Sequence, residues 1–263
     1  MDIKQGLLCV VGTIFSYTAA TAGDIGSITS SQGLHSVVSL QGGYASINVG
    51  GNTQRYTGSD ADEFTYTNSR SGKNTGFIGV FLGAEHDLPL ISRPGFFMQT
   101  GVEYNYFGHT RVKGINTVGV APQTSTTYNY NYNFQTQQVL GTLKIFATTY
   151  ERFYPYGEVG LGAAFNHAGE YSAFTTEVGS LNLTPGFSNQ STTQFSYSLG
   201  LGVDTQVNKN IRVGLGYRYS NFGSSSLGNG SVTFNNYQSP LSFALGQANT
   251  YANQLMARIS YVP

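Results

Sequence analysis

Apolar and polar residues alternate along much of this chain, most clearly from Gln138 to Ala168. Alternation with a period of two predicts β-strands, because successive side chains of a strand point to opposite faces. A break at residues 150–155 separates two such runs, which predicts a hairpin. The apolar faces of the two runs carry Val139, Leu143, Ile145 and Ala147, then Val159, Leu161, Ala163 and Phe165. These faces could lie inside a water-soluble sandwich, or against lipid on the outside of a closed barrel.

The lengths of the connections between strands distinguish these two folds. The alternation predicts eight strands, joined in turn by long polar segments and by tight turns. The long segments cover Gly50–Asn74, His109 to about Asn131, Gly169–Ser191 and Asn221 to about Thr250. Outer-membrane barrels have an even number of strands, long external loops and short periplasmic turns. The sequence therefore predicts an all-β fold, an eight-stranded antiparallel up-and-down transmembrane β-barrel with four long external loops and three short periplasmic turns.

Composition excludes several other classes of protein. Charged residues make up only 10% of the chain and the formal net charge is zero, so a nucleic-acid partner is not indicated. Mean hydropathy is -0.17, and no apolar run approaches the roughly 18 residues that a helical membrane span needs. The 34 glycines, 19 tyrosines and 17 phenylalanines, together with abundant Asn, Ser and Thr, favour strands linked by polar turns.

The N-terminus carries the pattern of an export signal. Lys4 precedes an apolar run from Leu7 to Phe15, and Ala20-Thr21-Ala22 follows as a small-x-small cleavage pattern. We therefore expect a signal peptide over residues 1–22, a flexible N-terminal extension over 23–35 and the barrel domain over 36–263. Cys9 lies within the apolar run, so the mature chain is expected to contain no cysteine and no disulfide.

Three segments carry a resemblance to a known family. The segments PYGEVGLGAAF (155–165) and GLGYRYSNFG (214–223), and a final strand that ends near Tyr261, resemble the small OmpA-type and opacity-type outer-membrane barrels. The resemblance implies a protein of the outer membrane of a Gram-negative-type bacterium, in contact with outer-membrane lipid. It also implies that the barrel-assembly machinery reads the C-terminal strand. Met256 stands where that signal usually has glycine, and the chain ends in Val262-Pro263 rather than in Phe.

Charged residues on the predicted inward face suggest a filled lumen. Four acidic and four basic side chains share that face: Glu85, Glu103, Glu158 and Asp204, with Lys144, Arg212, Arg218 and Arg258. An eight-stranded barrel is only wide enough for side chains to fill it, and charges buried there must be paired. We therefore expect a neutral charge network that plugs the barrel. A three-residue turn at 150–152 would place Lys144 directly opposite Glu158. A charged ion pathway is the functional alternative.

Catalytic chemistry finds little support. The segment Tyr217–Asn221 resembles the end of the lipid A deacylase motif, but Arg218 stands where that motif has the histidine that would activate Ser220. No spacing brings an acidic or serine partner to any of the four histidines, which are His35, His86, His109 and His167. The sequence therefore predicts no enzyme, no metal site and no cofactor.

Two aromatic segments leave alternatives open. Aromatic rings and amides alternate in the segment from Tyr128 to Asn133. The rings of Tyr128, Tyr130 and Tyr132 could form a stacking platform for glycans or a partner protein. Because the chain has no Trp, we favour instead an extension of the fourth strand whose rings join the outer aromatic girdle. The fourth long segment contains Phe234, Tyr237 and Phe243. It could present a partner surface, fold over the barrel mouth or extend the last two strands.

The function that these patterns favour is structural and interactive. We expect a plugged barrel that displays its four long loops for adhesion or host interaction, with a host or matrix surface ligand as a possible partner. A small pore or carrier for a solute or hydrophobic molecule is the alternative, and a lipid-modifying enzyme is a more distant one.

Overall fold

The structure is a computed structural model that describes residues 34–49, 53–57, 63–68, 72–88, 95–119, 125–148, 152–175, 183–234 and 237–263. The expected signal peptide, and the expected extension up to residue 33, lie outside these residues. Within them, no helix is long and apolar enough to cross a membrane.

The described chain forms twelve β-strands: β1 His35–Asn48, β2 Thr53–Thr57, β3 Glu63–Asn68, β4 Gly72–Leu88, β5 Phe96–Phe107, β6 Thr110–Val118, β7 Thr126–Ala147, β8 Phe153–Phe174, β9 Leu183–Phe187, β10 Gln190–Gln206, β11 Ile211–Phe234 and β12 Tyr237–Tyr261.

Eight of these strands close on themselves, which confirms the predicted fold. Every neighbouring pair is antiparallel, and β12 returns to pair with β1, for example Leu40 with Ile259. The order around this membrane ring is β1, β4, β5, β7, β8, β10, β11 and β12. Within the described residues, closure gives each strand of the membrane ring a partner on both sides, as a lipid environment requires.

The outside of the membrane ring is apolar and exposed. Leu201 and Leu215 are 65% and 67% exposed, although leucine ordinarily packs inside a water-soluble protein. Outward tyrosines mark the external border of this apolar band, where Tyr197, Tyr219 and Tyr251 contact one another in turn. On β12 the segment Tyr251–Tyr261 runs from this border to an exposed tyrosine at the other end. Its length matches the about 9–11 residues that a tilted strand needs to cross a bilayer.

Several strands continue far beyond the membrane ring. β11 and β12 contain 24 and 25 residues, and they pair with each other out to Phe234 and Tyr237. Their outer halves, together with those of β7 and β8 and the short strands β2, β3, β6 and β9, form what we call the upper ring. Ladders join β2 to β3, β3 to β6, β6 to β7, β7 to β8, β9 to β11 and β11 to β12. The long connections are thus largely built of strands.

Aromatic rings fill the inside of the upper ring, which corrects the expectation for Tyr128, Tyr130 and Tyr132. These three rings are buried, and Asn129 faces outward between them. The girdle interpretation is therefore wrong, although the segment does extend its strand. The reason is that water surrounds this part of the barrel, so apolar rings lie inside it and amides lie outside. Below, on the same strand, lipid reverses this preference.

The fourth long segment extends the last two strands rather than forming a separate loop. Leu245 is buried, and Phe243 packs against Tyr56, Phe64 and Tyr66 inside the upper ring. The side chains of Phe234 and Tyr237, the other two aromatic residues predicted for partner contact, lie outside the described part of the structure.

Candidate functional site

All eight side chains predicted to form the lumenal charge network lie on the inner face of their strands in the membrane ring. The barrel order places them on β4, β5, β7, β8, β10, β11 and β12, so nearly every wall contributes one. Lys144 and Arg218 are 0% exposed, and the two β-strands of the opening hairpin set Lys144 directly opposite Glu158. The structure brings six of the charges into one cluster and places Arg212 with Glu85 in a separate pair.

Arg218 is the centre of the six-residue cluster. Its Nη1 lies 2.5 Å from Glu103 Oε1, and its Nε lies 2.6 Å from Glu158 Oε1. Its Nη2 also donates to Glu103 Oε2 at 3.2 Å. One planar guanidinium therefore binds two carboxylates through its fixed set of donors, a geometry that an ammonium group cannot reproduce.

Of the other two cations of the cluster, Lys144 is held more loosely and Arg258 lies nearer the periplasmic end. Lys144 Nζ lies 3.6 Å from Glu103 and 3.7 Å from Glu158, which exceeds hydrogen-bond distance, and it sits over the Phe81 ring at 4.3 Å from the centroid. Arg258 Nη2 donates to both oxygens of Asp204 at 2.9 Å. The six charges sum to zero, with three of each sign.

The second ion pair lies nearer the short turns. Arg212 donates to both carboxylate oxygens of Glu85, at 2.5 and 2.9 Å, and Gln99 donates to the same carboxylate at 2.8 Å. The guanidinium lies against the rings of Phe97 and Tyr154, 4.9 and 5.2 Å from their centroids, and the two rings contact each other edge to face. Bidentate pairing and the adjacent rings fix this group in place.

Neutral amides complete the network, and the sequence interpretation overlooked them. Asn105 Nδ2 donates to Glu103 at 2.7 Å, Gln41 Nε2 donates to Asn105 at 2.9 Å, and Arg218 Nη2 lies 3.4 Å from Gln41 Oε1. Gln41, Gln99 and Asn105 lie on the polar side of the alternating pattern in their strands, so this pattern is a signal that could have placed them inward. It was missed because only formal charges were considered.

Inward-facing glycines provide the space that these side chains occupy. A Cβ added to Gly214 would lie 1.9 Å from Asp204 Oδ1, and one added to Gly200 would lie 2.6 Å from Glu158 Oε1. A Cβ at Gly79 would lie 2.1 Å from the Asn105 amide oxygen. The glycines on the inner face are therefore positions where the lumenal side chains lie directly against the wall.

Ser220 and His167, two groups of a catalytic type, have the following contacts in the described residues. The Ser220 hydroxyl accepts a hydrogen bond from Gln254 Nε2 at 2.8 Å, next to Arg218 on the same strand. His167 Nδ1 lies 3.0 Å from Ser191 Oγ on the exposed outer face. Within the described ranges no three His, Cys, Asp or Glu side chains are grouped to hold a metal ion.

Above the charge network, the interior of the upper ring is a continuous aromatic cluster. Tyr66 contacts Tyr130 and Phe187 edge to face at 5.8 and 5.6 Å, and Tyr171 contacts Phe187 at 5.0 Å. Burial raises the pKa values of Tyr66, Tyr130 and Tyr171 well above the usual value of a phenol. These tyrosines are therefore neutral and act as packing residues at physiological pH.

A closed antiparallel ring with an apolar outside and a polar, charge-paired inside defines an outer-membrane β-barrel protein. The chain belongs to the family described as outer membrane protein beta-barrel domain, which matches residues 8–244. The protein is thus located in the outer membrane, and the resemblance to the small OmpA-type and opacity-type barrels is confirmed. No curated protein matches the chain by sequence.

Solved structures with a similar course of the chain are small outer-membrane barrels. The outer membrane protease OmpT from Escherichia coli is 12% identical, with 91% of this chain and 99% of that chain covered and a TM-score of 0.41. OprG from Pseudomonas aeruginosa is 12% identical, with coverages of 86% and 95% and a TM-score of 0.39. Neisserial surface protein A is 13% identical, with coverages of 84% and 95% and a TM-score of 0.36. At such identities the likeness concerns the fold alone.

Proposed function

We propose that this protein is a non-catalytic surface-display barrel whose lumen is plugged by its charge network. The observation that carries the proposal is the bond of Arg218 to Glu103, which joins strands on opposite sides of the membrane ring. A side chain that crosses the lumen and is paired at its far end occupies the space that a solute would need. The neutral sum of the surrounding cluster also removes the field that would draw an ion through it.

The upper ring supports the same function. Its aromatic interior lies over the external end of the lumen, so the barrel is filled at two levels. The strands of the upper ring in turn hold side chains outside the membrane at fixed positions, which suits recognition better than a mobile loop would.

The outer face of the upper ring offers a specific contact surface. Ile115 on β6, Asn129 on β7 and Phe174 on β8 lie side by side in the ladders, and all three are exposed. Lys113 lies two residues from Ile115 on the same face and is also exposed. Exposed apolar side chains rimmed by polar ones often mark protein contacts, and we assign this surface to a host or matrix ligand. In the membrane the partners are lipid and, during insertion, the barrel-assembly machinery.

Planar-bilayer recording of the purified protein tests the plug. We expect no stable, well-resolved channels, while a wide porin reconstituted in the same bilayer serves as the positive control. Stable channels from the unaltered protein would overturn the plug and favour the alternative, a small pore or carrier.

Binding of expressing cells to host cells and matrix proteins tests the display surface. The double variant Ile115→Asp/Phe174→Asp is expected to lose most of the binding, because charges replace both apolar contacts. The matched control is Thr233→Asp, which adds a charge at an exposed position of β11 in the same upper ring. Binding that is absent from the unaltered protein, or equal in all three proteins, would contradict the assignment.

A further inference from the structure

Among the described residues the upper ring has two junctions without a backbone ladder, between β8 and β9 and between β2 and β12, and at the second junction side chains replace the ladder. In the described residues no ladder joins β2 to β12, although they are neighbours in the ring. Gln54 Nε2 instead donates to the Gly246 carbonyl at 2.8 Å, and the Gly246 amide donates to Gln54 Oε1 at 3.2 Å. The Tyr56 hydroxyl lies 3.1 Å from the Ala244 carbonyl, and its ring stacks on Phe243 with centroids 3.6 Å apart and planes within 3°.

The Gln54 amide thus takes the place of one residue of a partner strand. It offers a donor and an acceptor to Gly246 in the way that a neighbouring backbone would. Because the bonds belong to two side chains, they can be released without breaking any backbone ladder. β2 contains only five residues, and its ladder to β3 would remain intact when the seam parts.

The aromatic rings behind the seam favour closure, whereas one buried hydroxyl near them would gain from contact with water. Phe243 is in ring contact with Tyr66 and Phe187, and Phe187 is in contact with Tyr171. In the described part of the chain the buried Tyr171 hydroxyl has no hydrogen-bond partner, which is unfavourable in a dry interior. Opening would lose the Gln54 and Tyr56 contacts but let water reach this hydroxyl. The Tyr56 stack on Phe243 would be lost as well, so the closed seam is the ground state and the opening is a transient, local one.

We propose that the seam between β2 and β12 is a latch, and that the β2–β3 hairpin is a lid. Release of Gln54 and Tyr56 exposes the aromatic interior of the upper ring to the cell exterior while the membrane ring remains closed. This device goes beyond the proposed display function and does not depend on it. It gives the barrel a second, hidden surface of tyrosine and phenylalanine rings that only the open lid presents.

Cysteine reactivity on intact cells tests the latch. Leu245→Cys reports from the inner face of β12 at the seam, where the native side chain is 2% exposed. Val232→Cys is the matched control, since Val232 is 6% exposed and its strand has ladders on both sides, to β9 and to β12. Both variants carry Cys9→Ser, which removes the only native cysteine. With a membrane-impermeant maleimide, we expect Leu245→Cys to react about tenfold faster or more than Val232→Cys.

A latch variant and a cysteine-free measurement complete the test. Adding Gln54→Ala should accelerate the reaction of Leu245→Cys and leave Val232→Cys unchanged. In the native sequence, amide hydrogen exchange should be faster over residues 241–247 than over 229–234, and faster still in Gln54→Ala. Equal rates at the two sites, or equal acceleration of both by Gln54→Ala, would overturn the latch, because the upper ring would then open as one unit or not at all.

Discussion

Arg218 on β11 and Glu103 on β5 meet across the full width of the barrel. Their strands are four places apart in either direction around the eight-stranded membrane ring, and the closest nitrogen-oxygen distance is 2.5 Å. Glu158, bonded to the same guanidinium at 2.6 Å, comes from a third wall. One side chain thus links three walls at a single level of the lumen.

Removing Arg218 is therefore expected to be the most damaging single change in the network. Arg218→Met leaves two buried carboxylates without their main partner, and we expect a loss of about 3–5 kcal/mol in the free energy of unfolding. Urea unfolding in detergent micelles measures it. Lys144→Met is the control, because the Lys144 ammonium has no hydrogen-bond partner among the described residues, and its loss should be smaller. An equal or larger loss for Lys144→Met would contradict this ranking.

The distances also predict which of two ion pairs has the larger interaction energy. Arg258 and Asp204 hydrogen-bond at 2.9 Å, whereas Lys144 and Glu158 lie 3.7 Å apart. One double-mutant cycle combines Asp204→Asn with Arg258→Gln, and the other combines Lys144→Gln with Glu158→Gln. Each single variant should lose stability, and each double variant should recover part of the lost stability. The coupling should fall within about 0.5–3 kcal/mol and be larger for the first pair. No coupling in either cycle would mean that these charges do not act as a network.

Glycines on the inner and outer faces should respond differently to the same substitution. Gly214→Ala places a methyl group on the Asp204 carboxylate and should separate it from Arg258, costing about 1–3 kcal/mol. Gly157→Ala is the matched control, because a Cβ there would meet nothing within 4 Å. It should change stability by no more than about 0.5 kcal/mol. Thermal unfolding in micelles compares them, and similar losses would argue against inner-face crowding.

Alkaline pH should weaken the upper ring. Burial raises the pKa values of Tyr66, Tyr130 and Tyr171 from 10.0 in the folded protein, so above pH 10 the unfolded chain releases phenolic protons that the folded protein keeps. Stability is therefore unaffected by these groups at neutral pH and falls as the pH rises above 10 toward their folded-state values.

The variant Tyr171→Phe isolates one of these groups. It removes a buried hydroxyl without a partner among the described residues, so it should raise stability slightly at neutral pH and reduce the alkaline loss. Urea unfolding at pH 8 and at about pH 11 measures both effects. An alkaline loss of the same size in Tyr171→Phe would show that other groups cause it.

The membrane ring was accessible to sequence reasoning because lipid imposes a simple rule on each strand. Leu215 and Arg218 follow that rule, since the apolar side chain faces out and the charged one faces in. The register between Lys144 and Glu158 could be predicted as well, because a tight turn fixes which residues of a hairpin stand opposite each other.

The upper ring was not predicted, because the same rule is reversed where the strands leave the membrane: apolar side chains there face inward and polar ones face outward. Tyr130 and Lys144 lie on the same face of β7. Tyr130, however, belongs to an apolar interior that is surrounded by water, whereas Lys144 belongs to a polar interior that is surrounded by lipid. A pattern of period two indicates the face but not the surrounding medium. The pairing of Gln54 with Gly246 could not be predicted either, since it joins segments 192 positions apart through side chains that carry no distinctive motif.

The two rings share only β7, β8, β11 and β12. The remaining strands of the upper ring, β2, β3, β6 and β9, take no part in closing the membrane ring. The backbone closure of the membrane ring therefore does not depend on those four short strands. The part of the barrel outside the membrane can therefore change strand by strand while the part that holds the protein in the envelope stays the same.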